Sequence, residues 1–465
     1  MKMALFLTVC ILAGISLAGC ADNENELGGT NNTIINEVGG TNNTMKNDNI
    51  KITAVNAKEL QAPVYGERNL AAQRAATGAN DFAFRLSAEL AKNIEDESFV
   101  CSPYSVWLPL AALVNATDSQ HKEKLLAAIG ASGISEDDIN SAASRMLYDL
   151  TKEREREFKE EFKEEFNDEY YEHYHNPLKI ANAIFVGNNV TLRKEFAQTF
   201  MDFYRGASIN VDFASSDAVD AVNKWASENT EGLITNLIQE FDPMTVAAIA
   251  NAIYFSDRWQ WEFNPEYTSE GVFHAPNRDL TAFYMLREGD DQTYYEDDIV
   301  QAMPLRFKSG GGLYIILPKS GDAAGLLSTM TTDYFDEIQR DSVSATGKLL
   351  LPRFSIENNI NLIDALTALG VPLFDDASAP LTGGLIEEDI PVWLSDALQK
   401  AIIEVDEKGT TAAAVTVIAA PTAYIPEPTE PFKMICDRPF VFVLYSHTYD
   451  GGYQVLFTGV VSNTE

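Results

Sequence analysis

Toward the C-terminus the chain sets solidly apolar runs against polar breaks. Ala401-Ile402-Ile403-Glu404-Val405-Asp406-Glu407 reads as a strand, and Arg438–Tyr445 and Tyr453–Val461 read as two buried strands. His447–Gly452 separates that pair, and its Asp450-Gly451 step is a hairpin-turn signal. A different texture lies upstream. Glu407-Lys408-Gly409-Thr410-Thr411-Ala412-Ala413-Ala414 consists almost wholly of small residues, then runs into Val415-Thr416-Val417-Ile418, which is β-branched and favours strands. No proline interrupts between Pro391 and Pro421, after which Pro421, Pro426, Pro428 and Pro431 oppose further ladder pairing. A segment that is pliable at its start and strand-competent along its length is suited to changing partners, and insertion of a loop into a sheet is a known switch. An ordinary flexible connection between two strands explains the decapeptide equally well when it is taken alone.

A helical period stands out in residues 151–175. Phe158, Phe162, Phe166, Tyr170 and Tyr174 recur every four residues within a run dense in glutamate. Arg154, Arg156, Lys159 and Lys163 relieve neighbouring carboxylates. The expectation is an acidic helical insertion that lays its aromatic stripe on the body, with a partner-docking helix as the alternative.

The N-terminus has its own pattern. Lys2 precedes an apolar stretch from Met3 to Ser16, too short to span a bilayer and typical of a secretory signal. Leu17-Ala18-Gly19-Cys20 resembles the bacterial lipobox, which implies removal of residues 1–19 and acylation of Cys20. A plain signal cut after a small residue is the alternative. Residues 20–76 read as a flexible acidic tether, with a near-repeat in Asn25–Thr33 and Asn36–Thr44 that cannot bury enough apolar area to order itself. Asp22, Glu24 and Glu26 fit either a surface-export signal or plain solubilising charge. The expected location is a lipid anchor in a bacterial envelope, at the outer membrane or cell surface.

Composition narrows the function. With 46% hydrophobic and 10% aromatic residues the chain can bury a substantial core. A net charge of −35 argues against nucleic acid or heparin as a partner, because both need a basic face. Cys101 and Cys436 are compatible with a disulfide in an oxidising compartment or with two buried free thiols. The five histidines have no metal spacing, and no cofactor is expected. Ser119-x-x-Lys122, Ser227-x-Asn229 and Lys319-Ser320-Gly321 follow the order of the penicillin-binding proteins. However, Thr117 to Gln120 reads better as a helix cap, and Lys319 leaves a strand rather than lying on one. No nucleophile with a matched base is apparent, so the protein is not read as an enzyme.

The strand, pliable segment and closing hairpin resemble the C-terminal end of a serpin, and Glu407–Thr416 resembles the hinge of inhibitory members. The likeness extends over roughly residues 77 to 462. Ser98–Val106 resembles the family's strand-to-helix passage, Leu178–Phe185 and Asn251–Phe255 resemble two central strands, and Leu351–Ile356 resembles a further signature. The resemblance implies an α+β fold: mainly antiparallel sheets around a large central sheet, with surrounding helices and an exposed reactive loop. Residues 77–465 would form this domain, with hinge and loop at 407–431.

By that resemblance the protein is a suicide-substrate inhibitor of serine endopeptidases, and is expected to be monomeric apart from its covalent complex. The family's loop length places the reactive bond between Ala423 and Tyr424, with a slip of one residue making Thr422 the recognised side chain. Alanine there suits elastase-like enzymes, and a cut after Tyr424 suits a chymotrypsin-like one. The hinge residues are Glu407, Gly409, Thr410, Ala412, Ala413 and Ala414. Alternate side chains of an inserted strand face inward. Small residues at Thr410, Ala412 and Ala414 would let insertion begin, and Gly409 would supply pivot freedom. Ser102, Ser105 and Asn251 match the family's sheet-opening cluster, with Gln399 where most members have histidine and Trp259 near the loop's entry. Glutamine can both donate and accept, so the cluster can persist without a titrating group. The alternatives are a non-inhibitory or substrate-like serpin used for binding, and an inhibitor of papain-like cysteine proteases.

Overall fold

The apolar runs build two large sheets. In the computed structural model, residues 51–52, 70–94, 96–153, 178–230, 232–410, 430–448 and 451–464 are described, all within one compact unit, Asn47–Glu465. Three expected features therefore lie largely or wholly outside the described residues: the Cys20 anchor, the aromatic stripe of 151–175 and the loop from Thr411 to Thr429. Ala412, Ala413, Ala414, Ala423 and Tyr424 belong to that loop.

The first strand is β1 (Lys51–Ile52), followed by helix α1 (Leu70–Ala91), β2 (Phe99–Cys101), α2 (Pro103–Leu113), α3 (Ser119–Ala128) and α4 (Glu136–Tyr148). The middle of the chain supplies β3 (Leu178–Gly187), β4 (Gly206–Val211), β5 (Ala247–Phe255) and β6 (Asp257–Arg258). Next come β7 (Ser269–Ala275), β8 (Arg278–Glu296), β9 (Val300–Arg306), β10 (Gly312–Pro318), β11 (Val343–Pro352) and β12 (Phe354–Asn361). The C-terminal part holds β13 (Asp396–Val405), β14 (Gly409–Thr410), β15 (Phe432–Ile435), β16 (Phe440–His447) and β17 (Tyr453–Val461).

The central sheet runs β1-β4-β3-β5-β13-β12. Its inner strands β3 and β5 are buried almost end to end, as near-continuous apolar runs must be when both faces are covered. The expected fold class holds: a large central sheet, a second system ordered β15-β11-β8-β9-β10-β16-β17-β2 with β7 added on β8, and helices around them. The tether's expected end at Ala76 falls inside α1, whose alanine-rich first turns are good helix formers and bury Ala72 and Ala75. Within the expected tether, Lys51–Ile52 also pairs with β4 along Lys51↔Asn210 and Ile52↔Ile209, adding an edge strand to the central sheet.

The ladder between β5 and β13 positions the site. These strands are parallel, and their pairing runs from Asp396↔Ala248 to Ala401↔Ile253. Among the described residues, the remaining part of β13, Ile402–Val405, pairs with β12 alone. The two strands thus part near their C-terminal ends, immediately below the hinge.

Candidate functional site

Three strands carry one polar residue each at the same level of the central sheet. Asn182 on β3 is in register with Asn251 on β5, which is in register with Gln399 on β13. All three are buried, beneath Ser102 and Ser105 at the start of α2. The Gln399 amide fits this setting with both ends. Its Oε1 accepts from the Ser102 backbone N–H at 2.9 Å, and its Nε2 donates to Ser102 O at 2.8 Å and Ser105 Oγ at 2.9 Å. Ser105 Oγ donates to Asn251 Oδ1 at 2.6 Å, and Asn251 Nδ2 donates to Asn182 Oδ1 at 2.7 Å and Ser105 O at 3.1 Å.

Ser102 occupies the N-cap position of α2, but its hydroxyl does not cap the helix. It donates instead to Leu456 O on β17 at 2.6 Å, tying helix, central sheet and second sheet together. The expected cluster members Ser102, Ser105, Asn251 and Gln399 therefore form one connected hydrogen-bond network. Asn182 completes it and was missed, because its only sequence signal is a polar residue inside an apolar strand.

Above the parted strand ends, the hinge is tightly held up to Thr410. Trp259 is fully buried, donates from Nε1 to Asp406 O at 2.9 Å and stacks on Phe307 with centroids 4.8 Å apart. Its backbone N–H donates to Lys408 O at 2.8 Å, and that of Phe263 donates to Glu407 O at 2.8 Å. Gly409 and Thr410 form β14, pairing with Arg258 and Asp257 of β6. A Cβ at Gly409 would lie 2.0 Å from Asp257 O. Close backbone approach, rather than the expected pivot freedom, is thus what the native fold asks of this glycine. Thr410 is already buried, and its Oγ1 accepts from the Asp257 N–H at 3.1 Å.

Glu407 locks this arrangement to the adjoining strands. Its carboxylate receives both Arg353 Nε, at 2.9 Å, and Arg353 Nη2, as well as Thr268 Oγ1 at 2.5 Å. The side chain is 7% exposed against 46% for Arg353. Burial pushes the Glu407 carboxyl up, but the Arg353 and Thr268 bonds outweigh it and hold the group below its ordinary value of 4.5.

The remaining candidates separate. Cys101 and Cys436 are buried free thiols, which decides between the two readings, and burial pushes both far above the ordinary thiol range. The cap at α3 is Asp118 rather than Thr117: Asp118 Oδ1 accepts from the N–H groups of Gln120 and His121 at 2.8 and 3.0 Å. An aspartate accepts more readily than a threonine one residue earlier, whose Oγ1 instead donates to Leu113 O at 2.7 Å. Lys122 is paired with Glu136, and Lys319 lies 2.8 Å from Glu296 just beyond β10. The residues of the penicillin-binding order are thus engaged in separate contacts.

This chain belongs to the serpin family: residues 77–464 match the family model described as serpin (serine protease inhibitor). Serpins bind target proteases as inhibitors and are not enzymes. Antichymotrypsin-2 of Bombyx mori is 30% identical over 393 residues, covering 82% of this chain and 96% of its own length. Alpha-1-antiproteinase of Rattus norvegicus is 27% identical, covering 83% of this chain and 87% of itself. Among solved structures, Serpin48 of the insect Tenebrio molitor is 26% identical with a TM-score of 0.66, over 84% of this chain and 99% of that one. The thermophilic serpin tengpin in its native state matches the fold at a TM-score of 0.71 and 24% identity, over 87% and 97%. The relatives named with their organisms are insect and mammalian, and they lend the bacterial lipoprotein reading no support.

Proposed function

We propose that the protein inhibits serine endopeptidases by offering its loop as a substrate and trapping the acyl-enzyme. The observation that carries this reading is the partial ladder between β5 and β13, which parts directly below a hinge of small residues. A loop that leaves the end of β13 and folds back would run antiparallel to both strands, completing the hydrogen bonds that Ile402–Val405 lacks toward β5.

The chemistry belongs to the enzyme. Its serine attacks the carbonyl carbon of Ala423, the amine of Tyr424 leaves with a proton, and the loop remains bound as an ester. The freed hinge then enters the sheet from Thr410 onward, with Ala412 and Ala414 following on the same face. The tethered enzyme is carried along and deformed before water completes hydrolysis. The uncleaved fold must be kinetically trapped for this to work. Ala423 supports an elastase-like target with small-residue specificity. A relative named antichymotrypsin supports a cut after Tyr424 as the second arm of the test. The lipobox-like Leu17–Cys20 supports display of the domain on a bacterial lipid anchor.

The test mixes the protein with pancreatic elastase and with chymotrypsin and resolves the products on a denaturing gel. A boiling-resistant band at the summed mass is expected, with release of a peptide beginning at Tyr424 for elastase, or at Ile425 where chymotrypsin cuts after Tyr424. Ala412→Arg should abolish that band and leave cleaved protein, because a charged side chain cannot enter the buried face. Clean cleavage of the unmodified protein without a covalent band would overturn the inhibitory reading in favour of a substrate-like serpin.

A further inference from the structure

Arg353 and Arg258, which flank the hinge, each meet a carboxylate. Arg353 holds Glu407, and Arg258 Nη2 lies 2.5 Å from Glu262 Oε1. Arg287, on β8, meets none among the described residues. Its guanidinium lies over the Phe263 ring, with Cζ 4.5 Å from the centroid, and its Nη2 donates to the Trp261 carbonyl oxygen. The next residue, Glu288, belongs to the other side of the strand, because neighbouring side chains alternate, and it stands opposite Lys348 of β11.

This is an uncommon setting for an arginine. The side chain is half-buried, and burial pushes its pKa down to about 10, with no acid beside it to restore the usual value. Desolvated charges are ordinarily paired, because an ion without a partner is costly. A ring face and a single carbonyl offset only part of that cost. A guanidinium presents several N–H donors in a fixed fork, and among the described residues Trp261 O alone accepts from this one. The remaining donors are of the kind that a carboxylate engages two at a time. Apolar surface adjoins the fork: Phe263 is buried against it, and Trp261, whose carbonyl it holds, is 60% exposed.

We infer that Arg287, with Phe263 and Trp261, forms a binding site for a small carboxylate that carries an apolar or aromatic group. The carboxylate takes the free edge of the guanidinium, and the apolar part lies against Trp261. A net charge of −35 repels anions in general, so occupancy has to come from this local site. The same segment serves the hinge, since the Phe263 N–H donates to Glu407 O at 2.8 Å. A ligand on Arg287 therefore binds the uncleaved arrangement, in which residues 261–263 are in place. Bound only by that fold, it stabilises the fold by mass action, and at about ten times its Kd it raises the folded-to-unfolded ratio about elevenfold. The site stands whether or not the loop traps an enzyme.

The test is fluorine NMR of para-fluorophenylacetate mixed with the full-length protein at constant ionic strength. Line broadening that saturates, and that unlabelled phenylacetate reverses, is expected. The neutral para-fluorophenylacetamide should broaden far less. Arg287→Met keeps the apolar stem without the charge and should lose the effect. Arg287→Lys should weaken it, because a point charge replaces the fork. Thermal scans in which sodium phenylacetate replaces NaCl at equal ionic strength should raise the melting temperature of the unmodified protein and leave that of Arg287→Met unchanged, which separates binding from general screening. The same scans show whether each variant is folded, and if Arg287→Met is not, Arg287→Lys and the comparison of acid with amide carry the test. Absent broadening, equal broadening by acid and amide, or undiminished broadening with a folded Arg287 variant would overturn the site.

Discussion

At the scale of single residues, the site is tuned by fit as much as by chemistry. Gly409 has Asp257 O where a Cβ would go. Gly409→Ala should therefore cost about 1–3 kcal/mol through backbone displacement, read as a lower urea midpoint with unchanged slope. Gln399 satisfies three buried partners without titrating. Gln399→Ala strands the buried Ser102 N–H, at about 1–3 kcal/mol, while Ser105 Oγ keeps its bond to Asn251. Gln399→His would introduce a group that titrates near pH ~6.5 when unfolded but resists charging when buried. Its unfolded state would bind the extra proton, so the variant's stability should fall as pH drops through that value while the native protein stays level. Glu407 predicts a different limb. Its folded pKa lies below 4.5, so its contribution is complete above that value and is lost as pH falls through the lowered one. Urea midpoints measured from neutral to acid pH should show this decline, and Glu407→Gln should flatten it.

Elements that repeat a pattern over many residues were legible in the sequence. The closing hairpin appears as β16 and β17, and the strand feeding the hinge appears as the C-terminal half of β13. Their apolar runs are long enough to announce themselves. Contacts made by two residues were not legible. Nothing local predicts that Gly409–Thr410 pairs with Asp257–Arg258, or that Lys51–Ile52 pairs with β4. Asn182 escaped for the same reason: its importance comes from standing in register with Asn251, a property of the assembled sheet. The parted ends of β5 and β13 make a prediction at this scale. Nicking the segment 411–429 with a protease of unrelated class should raise the thermal midpoint rather than lower it, because the released strand completes the ladder. A calorimetric scan showing a lower or equal midpoint after nicking would mean that insertion gives no gain.

Across the whole molecule, a net charge of −35 opposes compactness. Raising NaCl from low to about 0.5 M should increase the melting temperature, by roughly 2–4 °C for each kcal/mol of repulsion screened. A flat response would place the charges too far apart to matter. The buried thiols offer a further view of the same body. Cys101 ends β2, one residue before the Ser102 network, and stands opposite Thr458 on β17. Its sulfur is buried and held in the unreactive protonated form. An alkylating reagent can therefore reach it only when that junction separates, and the labelling rate becomes a clock for the rare excursions of the uncleaved fold. Cys436, next to β15 at the opposite edge of the same sheet system, keeps separate time for that end. Peptide-resolved alkylation of one sample would thus show whether the two edges of this sheet system loosen together or one before the other.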